Sequence, residues 1–185
     1  RLGAVDFNHP AARQTADALA QFVPNVIVTH PLAPLDNLKL YRQIGNVFGK
    51  RHEAEELRAR FSSVFEAISQ KSFRRKKVLY LIWKDPWMTV SRDTYVSRTL
   101  RLFGMHTLPE RSRRRYPELA TLEVEGAELI LLSTEPYRFR EKHRAELQCA
   151  LGKPVFLIDG EMTSWYGPRA IAGLRYLADF SRSIT

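Results

Sequence analysis

Cysteine is almost absent from this chain of 185 residues, which carries only Cys149. An internal disulfide needs two cysteines and a cysteine-rich zinc site needs several, so both are excluded within this sequence. Cys149 falls inside a predicted helix. We therefore expect a small buried side chain there rather than a nucleophile.

Long hydrophobic runs are also missing. The longest apolar stretches, at 78–83 and 129–132, are far shorter than the ~20 residues that a membrane-spanning helix needs. Residues 1–6 lack the apolar region of a signal peptide. We expect no transmembrane segment in this sequence, and no export signal is visible in it.

The sequence lacks the short motifs of the common enzyme classes. It has no glycine-rich dinucleotide fingerprint, no Walker loop, no GxSxG and no HExxH. The five histidines are too scattered for a local metal site, and only His30 follows a predicted strand. We expect no catalytic residues, no metal and no cofactor, with His30 as either a ligand contact or an ordinary loop residue.

Positive charge is in excess, with 29 Lys and Arg against 20 Asp and Glu, a net charge of +9. Most of the excess lies in two basic clusters at 71–77 and 111–115. These clusters fit a surface for nucleic acid or acidic lipid, or two solvated linkers. Because no nucleic-acid motif accompanies them, the linkers are favoured and nucleic acid is not expected as a partner.

The first seventy residues are predicted to be mostly helical. The hydrophobic periodicity indicates a helix at 11–22, a strand at 26–28 and a second helix from Asp36 to the stop at Gly49. A single apolar stripe then continues over 51–70, which corresponds to a helix of ~30 Å. Such a helix is long enough to connect two lobes.

The second half repeats a strand–loop–helix unit three times. Predicted strands at 78–82, 129–132 and 155–158 are followed by helices at 93–103, 140–151 and 168–183, with a possible short helix at 121–125. This alternation indicates an α/β protein with a parallel sheet and right-handed crossovers. In such sheets ligands bind beyond the carboxyl ends of the strands.

The loops after these strands hold an unusual number of aromatic and acidic residues. They contain all three tryptophans, together with two tyrosines and four carboxylates: Trp83, Trp87, Tyr137, Trp165, Tyr166, Asp85, Glu135, Asp159 and Glu161. Each ring could simply seal the end of the sheet, but a set on one rim indicates a binding surface. Asp85 and Asp159 fit turns and helix caps equally well, which leaves Glu161 as the better ligand candidate.

Four ordered stretches resemble the second lobe of the helical-backbone (class III) periplasmic binding proteins of ABC importers, of the cobalamin-binding type. They are VLYLIWKDPWMTVSRDT at 78–94, RYPE at 115–118, STEPYRF at 133–139 with KH at 142–143, and IDGEMTSWYGPR at 158–169. The resemblance implies two α/β lobes joined by one rigid helix, with a ligand in the cleft between them. Members of this family bind cobalamin, haem or ferric siderophores.

The resemblance also implies functional residues. By position, Trp87, Tyr116, Trp165 and Tyr166 would line the second-lobe side of the cleft, and Glu123 would dock against a permease arginine. An ABC permease is the expected partner, in a periplasmic or other extracytoplasmic location. We expect a monomeric, non-enzymatic receptor for cobalamin or a related metal chelate.

The sequence departs from the family pattern at its start. Family members carry a further strand–helix–strand set before the part that matches residues 11–49. We therefore expect a partial first lobe at 1–49, the backbone helix at 50–71 and a C-terminal α/β lobe at 77–185. The alternative is a truncated receptor-like module with an interaction or nucleic-acid role through its basic clusters.

Overall fold

The structure is a computed structural model that describes residues 2–6, 12–122 and 125–184. We call the elements before residue 48 the first lobe. They are β1 (Leu2–Asp6), α1 (Ala12–Leu19), β2 (Asn25–Thr29) and α2 (Asp36–Val47). β1 and β2 pair in parallel, in register from Leu2 with Asn25 to Asp6 with Thr29. The expectation of a single strand in this part is wrong, because the short segment 2–6 also forms one.

The helix α3 (Arg51–Ser69) follows the prediction of a long helix closely. Its buried residues Ala54, Phe61 and Ile68 recur every seven positions and form one stripe along the helix. This stripe faces the interior of the molecule. The helix α3 packs on α2 in the first lobe and on α7, the last helix, in the second lobe. The helix thus connects the two lobes over about 28 Å.

The second lobe, residues 76–184, is a five-stranded sheet flanked by helices. Its elements are β3 (Lys76–Trp83), β4 (Met88–Thr89), α4 (Tyr95–Arg101), β5 (Met105–Thr107), β6 (Leu129–Ser133), α5 (Glu141–Leu151), β7 (Val155–Ile158), α6 (Gly160–Ser164) and α7 (Arg169–Ser183). β3 pairs in parallel with β6, and β6 pairs in parallel with β7. The other edge of β3 is shared by parallel β5 and antiparallel β4. The fold is therefore α/β with a mainly parallel sheet, as predicted.

Three short elements of the second lobe differ from the prediction. The segment at 83–90, expected as a loop, turns back to form β4, and residues 105–107 form β5. The loop at 159–167 contains α6. The possible helix at 121–125 is not formed at its described residues, 121, 122 and 125. Segments of two to five residues carry too little periodicity to be recognised from sequence.

The sheet has a hydrophobic core on each face. Val78 and Tyr80 of β3 point into the core beneath α3 and α7, and Leu79 and Leu81 point into the opposite core with Phe139. All four β3 residues are at most 1% exposed. Burial on both faces explains why the strand is a continuous apolar run rather than an alternating one.

Two expectations about single residues are wrong. Cys149 is exposed, because α5 buries only His143 and leaves its other side chains at or near the surface. Lys76, from the first basic cluster, is 6% exposed, and its ammonium group donates a hydrogen bond to the carbonyl of Ile184. Burial lowers the pKa of Lys76. This hydrogen bond connects Lys76 at the start of β3 with Ile184, which follows α7. Lys76 is therefore not part of a solvated linker.

No helix within the described ranges is both long enough and apolar enough to cross a membrane.

Candidate functional site

A cavity of about 420 Å³ opens beside α4 and the loop that joins α6 to α7. We call it the aromatic cavity, and its lining residues are Thr94, Tyr95, Val96, Tyr116, Ser164, Trp165 and Tyr166. Four of these seven residues carry large aromatic rings. Tyr116, Trp165 and Tyr166 are three of the predicted ligand contacts, and the structure brings them together here.

The α4 side of the cavity is fixed by a helix cap. Thr94 precedes α4, and its hydroxyl accepts a hydrogen bond from the backbone N–H of Ser97 at 3.2 Å. The same hydroxyl donates to the carbonyl of Ser91 at 2.8 Å. A capped first turn holds its side chains in place, so Tyr95 and Val96 stand at the cavity in a defined orientation.

The opposite side is positioned by α6. The Asp159 carboxylate caps this helix, since its Oδ1 accepts from the N–H of Met162 at 3.1 Å. Asp159 therefore has the capping role that the sequence left open for it. The chain then turns at Gly167, where a φ of 76° suits a residue without a side chain. This short helix and turn present Trp165 and Tyr166 to the cavity.

The first lobe contacts the same turn through α2. Asn37 is fully buried; its amide donates to the hydroxyl of Tyr95 at 3.0 Å, and its Oδ1 accepts from the N–H of Gly167 at 2.6 Å. The hydroxyl of Tyr41 donates to the carbonyl of Gly167 at 2.7 Å. The aromatic cavity thus lies where the two lobes meet. Sequence reasoning missed Asn37 and Tyr95, because nothing in a helical pattern shows which polar residue will be buried.

Burial keeps the phenols around this junction uncharged. It raises the pKa of Tyr95 to about 12, and it raises the pKa of Tyr41 further. Both hydroxyls therefore stay protonated at neutral pH and act as hydrogen-bonding groups. The cavity presents neutral, largely apolar walls with a few hydroxyl groups at their edges.

Trp165 is the most exposed ring of the cavity, at 48% of its surface. Its indole N–H donates to the carboxylate of Glu135 at 3.2 Å, and the guanidinium of Arg169 lies 5.1 Å from its ring centroid. Arg169 in turn forms an ion pair with Glu161. These contacts hold the indole in place while one side of it stays open to solvent.

Glu161 does not line the cavity. Its carboxylate is engaged with Arg169, so it supports Trp165 through that arginine. The sequence treated Glu161 as free to bind a ligand because it could not show this ion pair. Its role as a ligand contact remains a prediction.

Trp87 and Tyr137, the other predicted contacts, lie in a different group of rings. Trp87 stacks on Phe139 at 6.2 Å with an interplanar angle of 4°, and Tyr137 lies 4.6 Å from the same ring. Both pack on the second core, on the other face of the sheet from the core that Tyr116 contacts. The expectation that all the rim aromatics form one surface is wrong, because chain position does not decide which face a ring covers.

His30 and Arg115 meet beside the cavity. The guanidinium of Arg115 lies 3.1 Å from Nε2 of His30 at the end of β2, and it also donates to the carbonyl of Asp93 at 3.2 Å. Arg115 directly precedes Tyr116, which lines the cavity. The second basic cluster therefore supplies a cation at the junction of the lobes, and His30 directly follows β2, as the sequence predicted.

Two further predictions, the docking role of Glu123 and the absence of a bound metal, are not assessed by this geometry. Glu123, the expected permease-docking residue, lies outside the described residues. Among the residues that are described, no group of three or more His, Cys, Asp or Glu side chains could hold a metal ion.

Comparison with known proteins reveals similarity in structure rather than in sequence. No protein-family model matches the chain, and no curated protein matches it by sequence. Solved structures match it over nearly its whole length. One is the periplasmic vitamin B12 binding protein BtuF of Vibrio cholerae, with a TM-score of 0.72 and 15% identity, covering 98% of this chain and 74% of that one.

Two further structures support the same conclusion. A possible iron-binding periplasmic solute-binding protein from Staphylococcus epidermidis has a TM-score of 0.73 at 15% identity, covering 96% of this chain and 74% of that one. IsdE of S. aureus complexed with heme has a TM-score of 0.70 at 16% identity, covering 91% and 72%. The chain therefore has the fold of the helical-backbone (class III) periplasmic binding proteins.

Proposed function

We propose that this chain captures a large, flat metal chelate of the cobalamin, haem or ferric-siderophore class and passes it to an ABC importer. The observation that carries the proposal is the aromatic cavity, where Tyr95, Tyr116, Trp165 and Tyr166 surround about 420 Å³ at the junction of two lobes. Ligand pockets commonly measure about 300–1,000 Å³ and are lined by apolar and aromatic side chains with few polar groups.

The shape of the walls suits a planar guest. Aromatic rings cover the broad apolar face of a macrocycle or catecholate chelate with large contact area and little loss of side-chain entropy. Trp165 provides an indole that is half open to solvent yet already positioned by Glu135 and Arg169. The ligand would stack on this ring without a large rearrangement of the site.

The rim of the cavity suits an acidic or metal-bearing ligand. Arg115 is a permanent cation beside the cavity and can pair with a carboxylate on the ligand edge. His30 contacts this guanidinium through Nε2 and brings an imidazole, a group that binds transition metals, close to Arg115. An aromatic interior with these polar groups at its edge fits a chelate better than a sugar or an amino acid.

The proposal includes location and partner. A receptor of this fold would work outside the cytoplasm and dock on the permease of an importer, without catalysing a reaction. The BtuF structure supports this interpretation, since that protein is described as periplasmic and vitamin B12-binding. The match covers 74% of the length of BtuF.

The proposal is tested by titrating the chain with haemin, cyanocobalamin and a ferric catecholate siderophore while tryptophan fluorescence and melting temperature are measured. At least one ligand should quench the fluorescence in a saturable way. At a concentration one hundred times its Kd, it should stabilise the fold by about 2.7 kcal/mol. If none of the three changes either signal, the proposal is refuted.

Two tryptophans of similar exposure provide a matched pair of variants. Trp165→Ala removes a wall of the cavity, and we expect the affinity to fall at least tenfold. Trp83→Ala removes an indole that is 41% exposed but packs edge-on against Tyr137, 5.6 Å away and outside the cavity. Its affinity should stay within twofold of the unmodified chain, and equal losses in both variants would contradict the assignment of the site.

A further inference from the structure

A second cavity, of about 100 Å³, lies in the groove between α4 and the edge strand β5. We call it the arginine cavity, and its lining residues are Arg75, Arg92, Ser97, Arg101, His106, Thr107 and Glu110. It shares no lining residue with the aromatic cavity. Nothing in the proposed function uses it.

The charge around this cavity is strongly unbalanced. Arg75, Arg92 and Arg101 bring three guanidinium groups from the β3 approach and the two ends of α4. Within the described parts of the chain, none of the three forms an ion pair with a carboxylate. Among the described lining residues Glu110 alone is acidic, and it already pairs with Lys77 at 3.6 Å. Three arginines thus surround a small space with no dedicated counterion.

The interior of the cavity is polar as well. Ser97 and Thr107 are 5% and 4% exposed, and their hydroxyls are hydrogen-bonded to each other. In such a pair one hydroxyl donates and the other keeps its proton for a further acceptor. The pair therefore offers one O–H donor from a buried position in the lining of the same cavity.

The imidazole of His106 lies in the same positively charged surroundings. Burial, then Arg75 and Arg101, lower the pKa of its imidazole, and only Glu110 acts in the opposite direction. The two arginines therefore lie close enough to disfavour a further positive charge at this point. An anion placed in the cavity would reverse this unfavourable interaction.

We propose that the arginine cavity binds one phosphoryl group, a tetrahedral oxyanion held by Arg75, Arg92 and Arg101 with a hydroxyl donor beneath it. The planar fork of arginine matches two phosphate oxygens at once, which makes it the preferred residue for such groups. A cavity of about 100 Å³ accommodates one small oxyanion and not a nucleotide base or a chelate ring. The phosphoryl group can come from soluble phosphate or from the headgroup of an anionic phospholipid.

The site is tested by calorimetric titration with inorganic phosphate, with chloride used to keep the ionic strength constant. The unmodified chain should bind phosphate at one saturable site. In Arg75→Gln/Arg101→Gln the affinity should fall at least tenfold, while Arg60→Gln/Arg175→Gln, which changes two exposed arginines of α3 and α7, should stay within twofold. Heat that does not saturate, or equal affinities in the two double variants, would overturn the proposal.

The source of the phosphoryl group is decided by flotation with vesicles of phosphatidylglycerol or phosphatidylcholine. Binding to phosphatidylglycerol alone that inorganic phosphate competes away and that Arg75→Gln/Arg101→Gln abolishes supports the site with a lipid headgroup as its ligand. Absence of vesicle binding with an intact phosphate titration supports the site with a soluble anion. The haemin titration of the same variant should be unchanged, so this proposal and the proposed function can fail separately.

Discussion

Tyr80 shows how one residue in the middle of the sheet supports the site. It is 1% exposed, and its hydroxyl donates to Oγ of Ser133 at 2.9 Å and lies 2.7 Å from Oγ1 of Thr163. These contacts connect β3 with the end of β6 and with α6, the helix that presents Trp165. A buried phenol with satisfied hydrogen bonds therefore fixes the base of the aromatic cavity.

The free energy of unfolding should decrease as the pH rises above 10. Burial raises the pKa of Tyr80 to about 12, whereas an unfolded tyrosine ionises near pH ~10. The stabilisation by the neutral phenol is thus fully present below pH 10 and is lost as the pH rises through about 12. Urea unfolding at pH 8, 10 and 11 measures this loss, to which Tyr80 would contribute on the order of 1 kcal/mol by pH 11.

Tyr80→Phe provides the control for this pH effect. At pH 8 the variant should lose about 1–2 kcal/mol, because Ser133 and Thr163 are left with one hydrogen-bonding partner fewer. Its stability should then fall less steeply between pH 10 and 11, with Tyr95 still contributing to the decrease. Parallel curves for the two proteins would show that Tyr80 does not titrate in this way.

At the scale of elements, the site depends on two close backbone approaches around α6. A Cβ atom at Gly173 of α7 would lie 2.3 Å from the carbonyl oxygen of Met162. A Cβ atom at Gly160 would lie 2.6 Å from the backbone N of Glu135. Both glycines let α6 sit directly on its neighbours. The position of the loop that carries Trp165 and Tyr166 follows from this packing.

Gly173→Ala should therefore displace α6 and damage the site. The added methyl group contacts backbone, which cannot rotate away, and overpacking of this kind costs about 1–3 kcal/mol. We expect a lower melting temperature together with weaker haemin binding. Ala172→Gly, at an exposed neighbouring position of α7, should cost only about 1 kcal/mol and leave haemin binding intact. A stable Gly173→Ala variant with full affinity would contradict the packing argument.

At the scale of the whole molecule, the two lobes are joined at the cavity as well as through α3. Asn37 of α2 contacts both Tyr95 and Gly167, and Tyr41 contacts Gly167 from the next turn of the same helix. The helix α3 packs on α2 at one end and on α7 at the other. Two separate connections therefore join the lobes, one through α3 and one through the contacts of α2 with Tyr95 and Gly167.

Asn37→Ala should weaken this second connection. It leaves the buried N–H of Gly167 and the hydroxyl of Tyr95 without their Asn37 partner, at a cost of about 2–3 kcal/mol. Haemin affinity should also fall, because Tyr95 and the turn at Gly167 lose their common anchor. Thermal unfolding and haemin titration measure the two effects.

The matched control is Asn46→Ala, an exposed asparagine on the same helix. Its stability should change by less than about 0.5 kcal/mol, and its affinity should not change. If both asparagine variants behave alike, the lobes are held together by α3 alone.

Elements with a strong hydrophobic periodicity were predictable from the sequence, and elements with a weak one were not. The stripe that repeats over 51–70 predicted α3 almost to the residue, and the apolar runs at 78–82, 129–132 and 155–158 predicted β3, β6 and β7. β1, β4, β5 and α6 span two to five residues each. Segments this short carry too little hydrophobic periodicity to be recognised, and their contacts with other elements decide their structure.

The candidate site was predictable from the sequence only in part. Tyr116, Trp165 and Tyr166 lie where the motifs placed them, and they line one cavity. Trp87 and Tyr137 were assigned to the same surface, but they pack around Phe139 on the other face of the sheet. Asn37 and Tyr95 were not singled out, because their importance comes from hydrogen bonds to residues up to 130 positions away.

The sequence by itself determined the order of strands and helices, the parallel sheet and the concentration of aromatic rings in the loops after the strands, since these depend on local periodicity and short motifs. Only the tertiary structure decided which rings share a cavity, which carboxylates are already paired and which arginines surround a polar cavity. Those properties depend on contacts between distant segments, which hydrophobic spacing along the chain does not encode.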